Sequence, residues 1–152
     1  MGNIFHNDFR DFILELNKCE VEYMVVGGYS VILHGYSRTT GDLDIWVNKT
    51  NTNYKKLVKA FSGFGLAIFD MTKENFISNP NIDVFSFGKP PVSIDILTDV
   101  KGLQFDACFQ NASFVEVDKL KVRLIEYRDL IKAKKASGRP KDLDDLENLN
   151  GK

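Results

Sequence analysis

Two aspartates one residue apart, Asp42 and Asp44 in GDLDIWV, are the residues best equipped for chemistry in this chain of 152 residues. On an extended strand their side chains leave the same face, about 6.6–6.8 Å apart along the backbone. Leu43 and Ile45 then point the other way, into a core. Two like charges on one face repel, and each raises the other's pKa unless a cation lies between them. A divalent ion with oxygen ligands is the natural cation, and Mg²⁺ commonly takes one or two carboxylates together with substrate phosphates. A solvated acidic strand edge is the alternative. Asp95 bears on that choice, because in VSIDILT it stands mid-strand between Ile94 and Ile96. A lone charge there is costly to bury unless it is paired or metal-bound. If its strand lies beside LDIWV, three aspartates converge. Such a set can hold two metal ions, one helping to activate an attacking oxygen and the other clamping a triphosphate.

The residues just upstream fit an anionic ligand as well as they fit a turn. Gly27 and Gly28 follow the apolar run VEYMVV and precede a short helical segment. Glycine permits close approach of backbone to ligand, and a helix N-terminus presents free N–H groups to anions; a plain turn would use the same pair. Ser30 offers a hydroxyl for capping or for a ligand, and His34 reads as structural. Arg38 and Thr40 stand immediately before the carboxylates, where a guanidinium can contact a phosphate or neutralise the aspartates. Further on, nine basic residues between Lys119 and Lys141 face only Glu126 and Asp129, an excess of seven in a chain of net charge −1. A local field of that sign favours a polyanionic ligand. Within that stretch Tyr127, Leu130, Ile131 and Lys134 share one helix face, so Lys134 either snorkels to solvent or reaches a phosphate.

The elements that must position these groups are legible from periodicity and punctuation. Phe5, Phe9, Phe12, Ile13 and Leu16 recur at helical spacing, which predicts an amphipathic helix over 7–19 with Asn7 or Asp8 as cap. VEYMVVGG predicts a buried strand, 29–35 a short helix closed by Gly35, and LDIWV a second strand. TNTNYKKLVKAFSGFG predicts a helix ending at Gly63 or Gly65. IDVFSFG and VSIDILT predict strands joined by the turn-forming GKPP, and SFVEV with KVRLI a second small pair. Two helices close the chain, YRDLIKAKKAS and PKDLDDLENL. This order predicts an α/β (α+β) arrangement, a mixed sheet with helices packed on it, in a single domain over 1–152.

Composition sets outer limits. With 43% hydrophobic and 27% charged residues the chain is globular, and a pI near 6.1 excludes a uniformly polybasic binder. Cys19 and Cys108 read as free thiols suited to a reducing compartment. No signal peptide or membrane span is evident, so a cytoplasmic protein with no membrane partner is expected.

Val26-Gly27-Gly28, a gap of thirteen residues, Asp42-Leu43-Asp44 and a later Asp95 together resemble the signature of the DNA polymerase beta-like nucleotidyltransferase superfamily. GGYSVILHGYSRTTGDLDIWV and LIKAKKASGRPKDLDDLENL are similar, within it, to small bacterial proteins related to AbiEii-type toxins. The resemblance implies a mixed-sheet nucleotidyltransferase fold with flanking helices and a short C-terminal helical pair. It implies a catalytic metal triad of Asp42, Asp44 and Asp95 holding Mg²⁺ (two ions, with Mn²⁺ as substitute), and Gly27 and Gly28 approaching the triphosphate of an NTP. Arg38 and Thr40 occupy its Arg-x-Thr-x-Asp-x-Asp positions. Lys134, Arg139, Lys141 and Asp142 fall on the stretch that lines or braces the nucleotide site. Ser30 departs from the small apolar residue expected there. The implied acceptor is an RNA end, a small molecule or a protein side chain, in a toxin–antitoxin or resistance setting. Because only two short helices follow the sheet, a second copy or a cognate partner protein is implied as its holder. The alternative is a catalytically silent nucleotide-binding or interaction module of the same fold.

Overall fold

The computed structural model describes residues 6–36, 38–89 and 92–150. Phe5 and the Pro90–Pro91 part of the expected turn lie outside the described residues. The chain runs α1 (Asn7–Lys18), β1 (Tyr23–Val26), α2 (Gly27–Leu33), β2 (Asp42–Val47), α3 (Asn51–Phe64), α4 (Lys73–Ile77), β3 (Val84–Lys89), β4 (Val92–Leu97), α5 (Phe105–Asn111), β5 (Ser113–Val117), β6 (Leu120–Leu124), α6 (Tyr127–Ser137) and α7 (Pro140–Asn150). The six strands form one mixed sheet in the order β3-β4-β2-β1-β6-β5. β2 runs antiparallel to β1 and parallel to β4, and β6 runs parallel to β1.

Strand alternation divides the sheet into two unlike faces. On one, Leu43, Ile45, Ile94 and Ile96 are buried with Phe87. Phe61 of α3 meets Phe87 edge-on at 4.8 Å between ring centroids and also meets Phe12 of α1 at 5.5 Å, so α1 and α3 cover this face. The opposite face carries Asp42, Asp44 and Trp46. There Phe105 of α5 stands edge-on to Trp46 at 5.2 Å and shields the far end of β2 from water. The near end, where the aspartates lie, is left to loops and to the C-terminal helices.

Local chemistry explains most boundaries. The N-cap of α1 is His6, whose ring nitrogen accepts from the Asp8 amide, rather than the expected Asn7 or Asp8. Thr50 caps α3, and Gly65, left-handed at φ 85°, closes it. Glu126 caps α6, and Gly138 ends it in the same conformation at φ 62°. Pro140 then opens α7, where its missing N–H costs no hydrogen bond. The helix after β1 begins at Gly27, two residues before the expected start, because Gly27 itself turns the chain at φ 67°. Two helices escape the sequence pattern, α4 and α5. At five and seven residues each shows too little of the 3.6-residue period to be told from an apolar loop. Cys108 sits on α5, buried, and Cys19 is half-buried after α1; both are free thiols. No helix among the described residues is long and apolar enough to cross a membrane.

Phe61 is fully buried at the junction of α1, α3 and β3. Phe61→Ala is expected to cost about 3–5 kcal/mol through the cavity it leaves. The effect should appear as a lower urea midpoint at unchanged m-value.

Candidate active site

The parallel pairing of β2 with β4 sets Asp44 directly beside Asp95 and Asp42 beside Ser93. Asp44 and Asp95 share a side-chain hydrogen bond, and Asp42 lies within electrostatic range of Asp44. Burial pushes the Asp44 carboxyl from its ordinary 3.8 up to about 7, and the charges of Asp95 and Asp42 add to the effect. At neutral pH the Asp44 carboxyl therefore holds a proton far more readily than an exposed aspartate does. Asp42 is held differently, because its Oδ1 accepts a short hydrogen bond from the Ser93 hydroxyl.

These three side chains are the ones for which the sequence implies a metal. Among the described residues no three His, Cys, Asp or Glu side chains stand ready-closed around a cation. Asp42 is turned to Ser93, and Asp44 to Asp95. The donor set nevertheless suits a divalent ion. It is all oxygen, it lies on one face of two adjacent strands, and a cation among the three would relieve the repulsion at Asp44 without protonation.

The glycine pair makes room chiefly for these side chains. A Cβ on Gly27 would lie 2.0 Å from Asp44 Oδ2, and a Cβ on Gly28 would lie 2.6 Å from Thr40 Oγ1 and 3.2 Å from Arg38 Nη1. Bare backbone at 27 and 28 therefore lets Asp44, Thr40 and Arg38 close over the start of α2. Thr40 also reaches the Asp42 carbonyl at 3.5 Å. Ser30 is fully buried and donates to the Gly27 carbonyl at 2.5 Å, so it faces the turn and away from any ligand space. His34 Nε2 lies 2.8 Å from the Ile125 carbonyl with its ring edge-on to Tyr127, tying α2 to the end of β6.

The cations from the C-terminal stretch are largely engaged within the protein. Lys134 is on the inward face of α6, as its spacing predicts, but it neither snorkels nor extends to open space. Its Nζ pairs with Asp142 at 3.2 Å and Asp145 at 3.0 Å. Arg139 Nε pairs with Asp142 at 2.7 Å, and Arg38 Nη1 with Asp145 at 2.9 Å. Burial opposes charge on Asp142, yet hydrogen bonds from Arg139 and Ser137 and the nearby Lys134 hold it well below the usual carboxylate range. Lys141 is exposed, stands outside this cluster, and is felt electrostatically by Asp44. A cleft of about 260 Å³ opens beside the carboxylates, walled by Gly27 and Asp44 on one side and by Leu97, Val100, Ile125, Leu130 and Ala133 on another, with Lys101 and Arg139 at its rim.

Sequence reasoning missed Ser93 and Asp145. Ser93 is two residues before Asp95 and so shares its face, a signal available from alternation alone. Asp145 is one helical turn after Asp142, and that spacing was equally readable. Neither spacing says which cations they meet.

The six-stranded mixed sheet with its flanking helices is a nucleotidyltransferase fold. Structures of that class superpose on nearly the whole chain. A candidate nucleotidyltransferase from Thermotoga maritima, TM1012, matches with a TM-score of 0.59 at 17% identity over 99% of this chain and 98% of its own. The lincosamide antibiotic adenylyltransferase LnuA, lincomycin-bound, matches at 0.54 and 18% identity over 98% of each chain. An antigenic nucleotidyltransferase-like protein from Paracoccidioides brasiliensis matches at 0.52 and 14% identity, over 93% of this chain and 74% of that one. No curated protein shows significant sequence similarity to the chain. Over residues 6–152 the chain belongs to the family described as nucleotidyl transferase of unknown function, DUF2204.

The Asp44 carboxyl gives a pH signature with a definite sign. Its folded pKa of about 7 lies above the ordinary 3.8, so between these values the folded state binds more protons than the unfolded one. The stabilising contribution is complete below about pH 4 and is lost as pH rises through 7. In metal-free protein Asp44→Asn should flatten this slope and raise the melting temperature at pH 8 by several degrees relative to the parent. Scanning calorimetry from pH 5 to 8 in EDTA reads both effects.

Proposed function

We propose that the chain is a Mg²⁺-dependent nucleotidyltransferase that moves an NMP from an NTP to an acceptor hydroxyl and releases pyrophosphate. The observation that carries this reading is the register of β2 on β4, which pairs Asp44 with Asp95 and sets Asp42 on the same face, with Asp44 also lining the adjoining cleft. Asp42, Asp44 and Asp95 would hold Mg²⁺, or Mn²⁺ in its place, which when bound supplies charge stabilisation for the triphosphate and lowers the pKa of the attacking hydroxyl. In this reading Asp95 would accept that hydroxyl's proton. Arg38 and Thr40, closed over Gly28, and the exposed Lys141 would meet the phosphates in this reading. The apolar wall of the cleft suits a nucleoside, with Lys101 and Arg139 at its polar rim.

The charge arrangement bears on the acceptor. Of the nine basic residues between Lys119 and Lys141, Lys134 and Arg139 are spent on α7 carboxylates. Arg123 is stacked between Phe109 and Phe114 at 4.4 and 4.3 Å from the ring centroids. The positive field that would suit an RNA acceptor is thus partly engaged inside the protein, which favours a small hydroxylated molecule. LnuA, a lincosamide adenylyltransferase with lincomycin bound, shares the fold over 98% of its chain, which lends support to a small acceptor.

Incubation with α-labelled NTPs, MgCl₂ and separate pools of RNA, protein and small metabolites tests the reading. Label should enter the small-molecule pool and vanish with EDTA or in the Asp42→Ala, Asp44→Ala variant. A toxin–antitoxin role of AbiEii type would show instead as label in RNA or protein. Absence of transfer, with Mg²⁺–NTP binding unchanged in the double variant, would overturn the assignment.

A further inference from the structure

We propose that Asp145 is the positioning residue for Arg38, fixing the guanidinium over Gly28 so that its remaining N–H groups meet the phosphates of the nucleotide. This inference rests on the nucleotidyltransferase reading above. Arg38 belongs to the irregular segment before β2, where no helix or strand ladder restrains it. What restrains it is a contact from 107 residues away, Nη1 to Asp145 Oδ2 at 2.9 Å. The same Nη1 lies where a Cβ on Gly28 would be only 3.2 Å distant, so the guanidinium rests on bare backbone at the start of α2.

Asp145 is itself held in place. It is 3% exposed, and Lys134 Nζ grips its Oδ2 at 3.0 Å. Lys134 also binds Asp142, which receives Arg139. The carboxylate that holds Arg38 is therefore clamped from behind and cannot follow an arginine that swings away. A guanidinium is a rigid planar fork with five donors, so fixing one nitrogen restricts the plane of the others. The Arg38 side chain stays 23% exposed, which leaves part of that fork open to a ligand. The α7 helix, remote in sequence, thus sets the geometry of a phosphate contact, although the contact residue comes from the loop before β2.

A purely architectural role for Asp145, docking α7 and nothing more, makes a different prediction. Calorimetric titration of the full chain with inorganic tripolyphosphate in MgCl₂ separates the two without reference to any base or acceptor. Arg38→Ala and Asp145→Asn should each bind about tenfold more weakly, the loss of one charge-assisted hydrogen bond. The double variant should be no weaker than either single one. Wild-type affinity in Asp145→Asn, or losses that multiply in the double variant, would overturn the positioning role. Should Asp145→Asn fail to fold, Asp145→Glu keeps the charge but displaces it by one methylene. It should weaken binding at least threefold when Arg38 is present and not at all in the Arg38→Ala background; equal effects in both would sink the proposal. Failure of the wild type to bind tripolyphosphate would overturn the nucleotidyltransferase reading and this inference with it. Binding that is lost in Asp42→Ala, Asp44→Ala but intact in Asp145→Asn would overturn the inference alone.

Discussion

The parallel register between β2 and β4 is the constraint from which the rest follows. It forces Asp44 against Asp95, an arrangement that two carboxylates resist. The same register buries Leu43, Ile45, Ile94 and Ile96 on the reverse face. Burial of those four side chains is worth roughly 6–12 kcal/mol by area transfer, as an upper bound. Holding Asp44 away from its ordinary ionisation near neutral pH costs on the order of 4 kcal/mol. The apolar face therefore wins, and the acidic face is left with a deficit of positive charge. That deficit is the physical content of the candidate site.

Glycines at 27 and 28 belong to the same constraint. The β1–α2 turn sits beside Asp44 because Val26 pairs with Asp44 across the sheet. Only a residue without Cβ leaves room there, and the left-handed backbone of Gly27 adds a second reason. The glycine pair and the aspartate pair, fourteen residues apart between Gly28 and Asp42, are in this sense one steric unit.

The C-terminal helices solve a different problem. Arg38, Lys134 and Arg139 converge with Asp142 and Asp145 in a cluster whose carboxylates are almost fully buried. Buried ion pairs rarely add much net stability, since desolvation consumes most of the Coulombic gain. Their value lies in geometry. Any other docking of α7 would leave a charge buried and unpaired, so the cluster selects one arrangement of three separate segments.

Much of this was legible in residue order. Alternation in LDIWV and VSIDILT placed the aspartates on one face, because a strand has a period of two whatever surrounds it. Glycines 65 and 138 marked helix ends because only a residue without Cβ adopts those dihedrals cheaply. The helices α4 and α5 were not legible, being too short for a period to show, and the helical spacing that turned Lys134 inward could not say what it would meet there. By itself the sequence determined the local periods, the turns and the types of group able to bind a cation or a phosphate. Tertiary structure alone decided that Asp44 meets Asp95, that Gly27 clears space for Asp44, and that Asp145 takes hold of Arg38. These are contacts between segments from 17 to 107 residues apart, set by strand register and helix docking, and no local period encodes them.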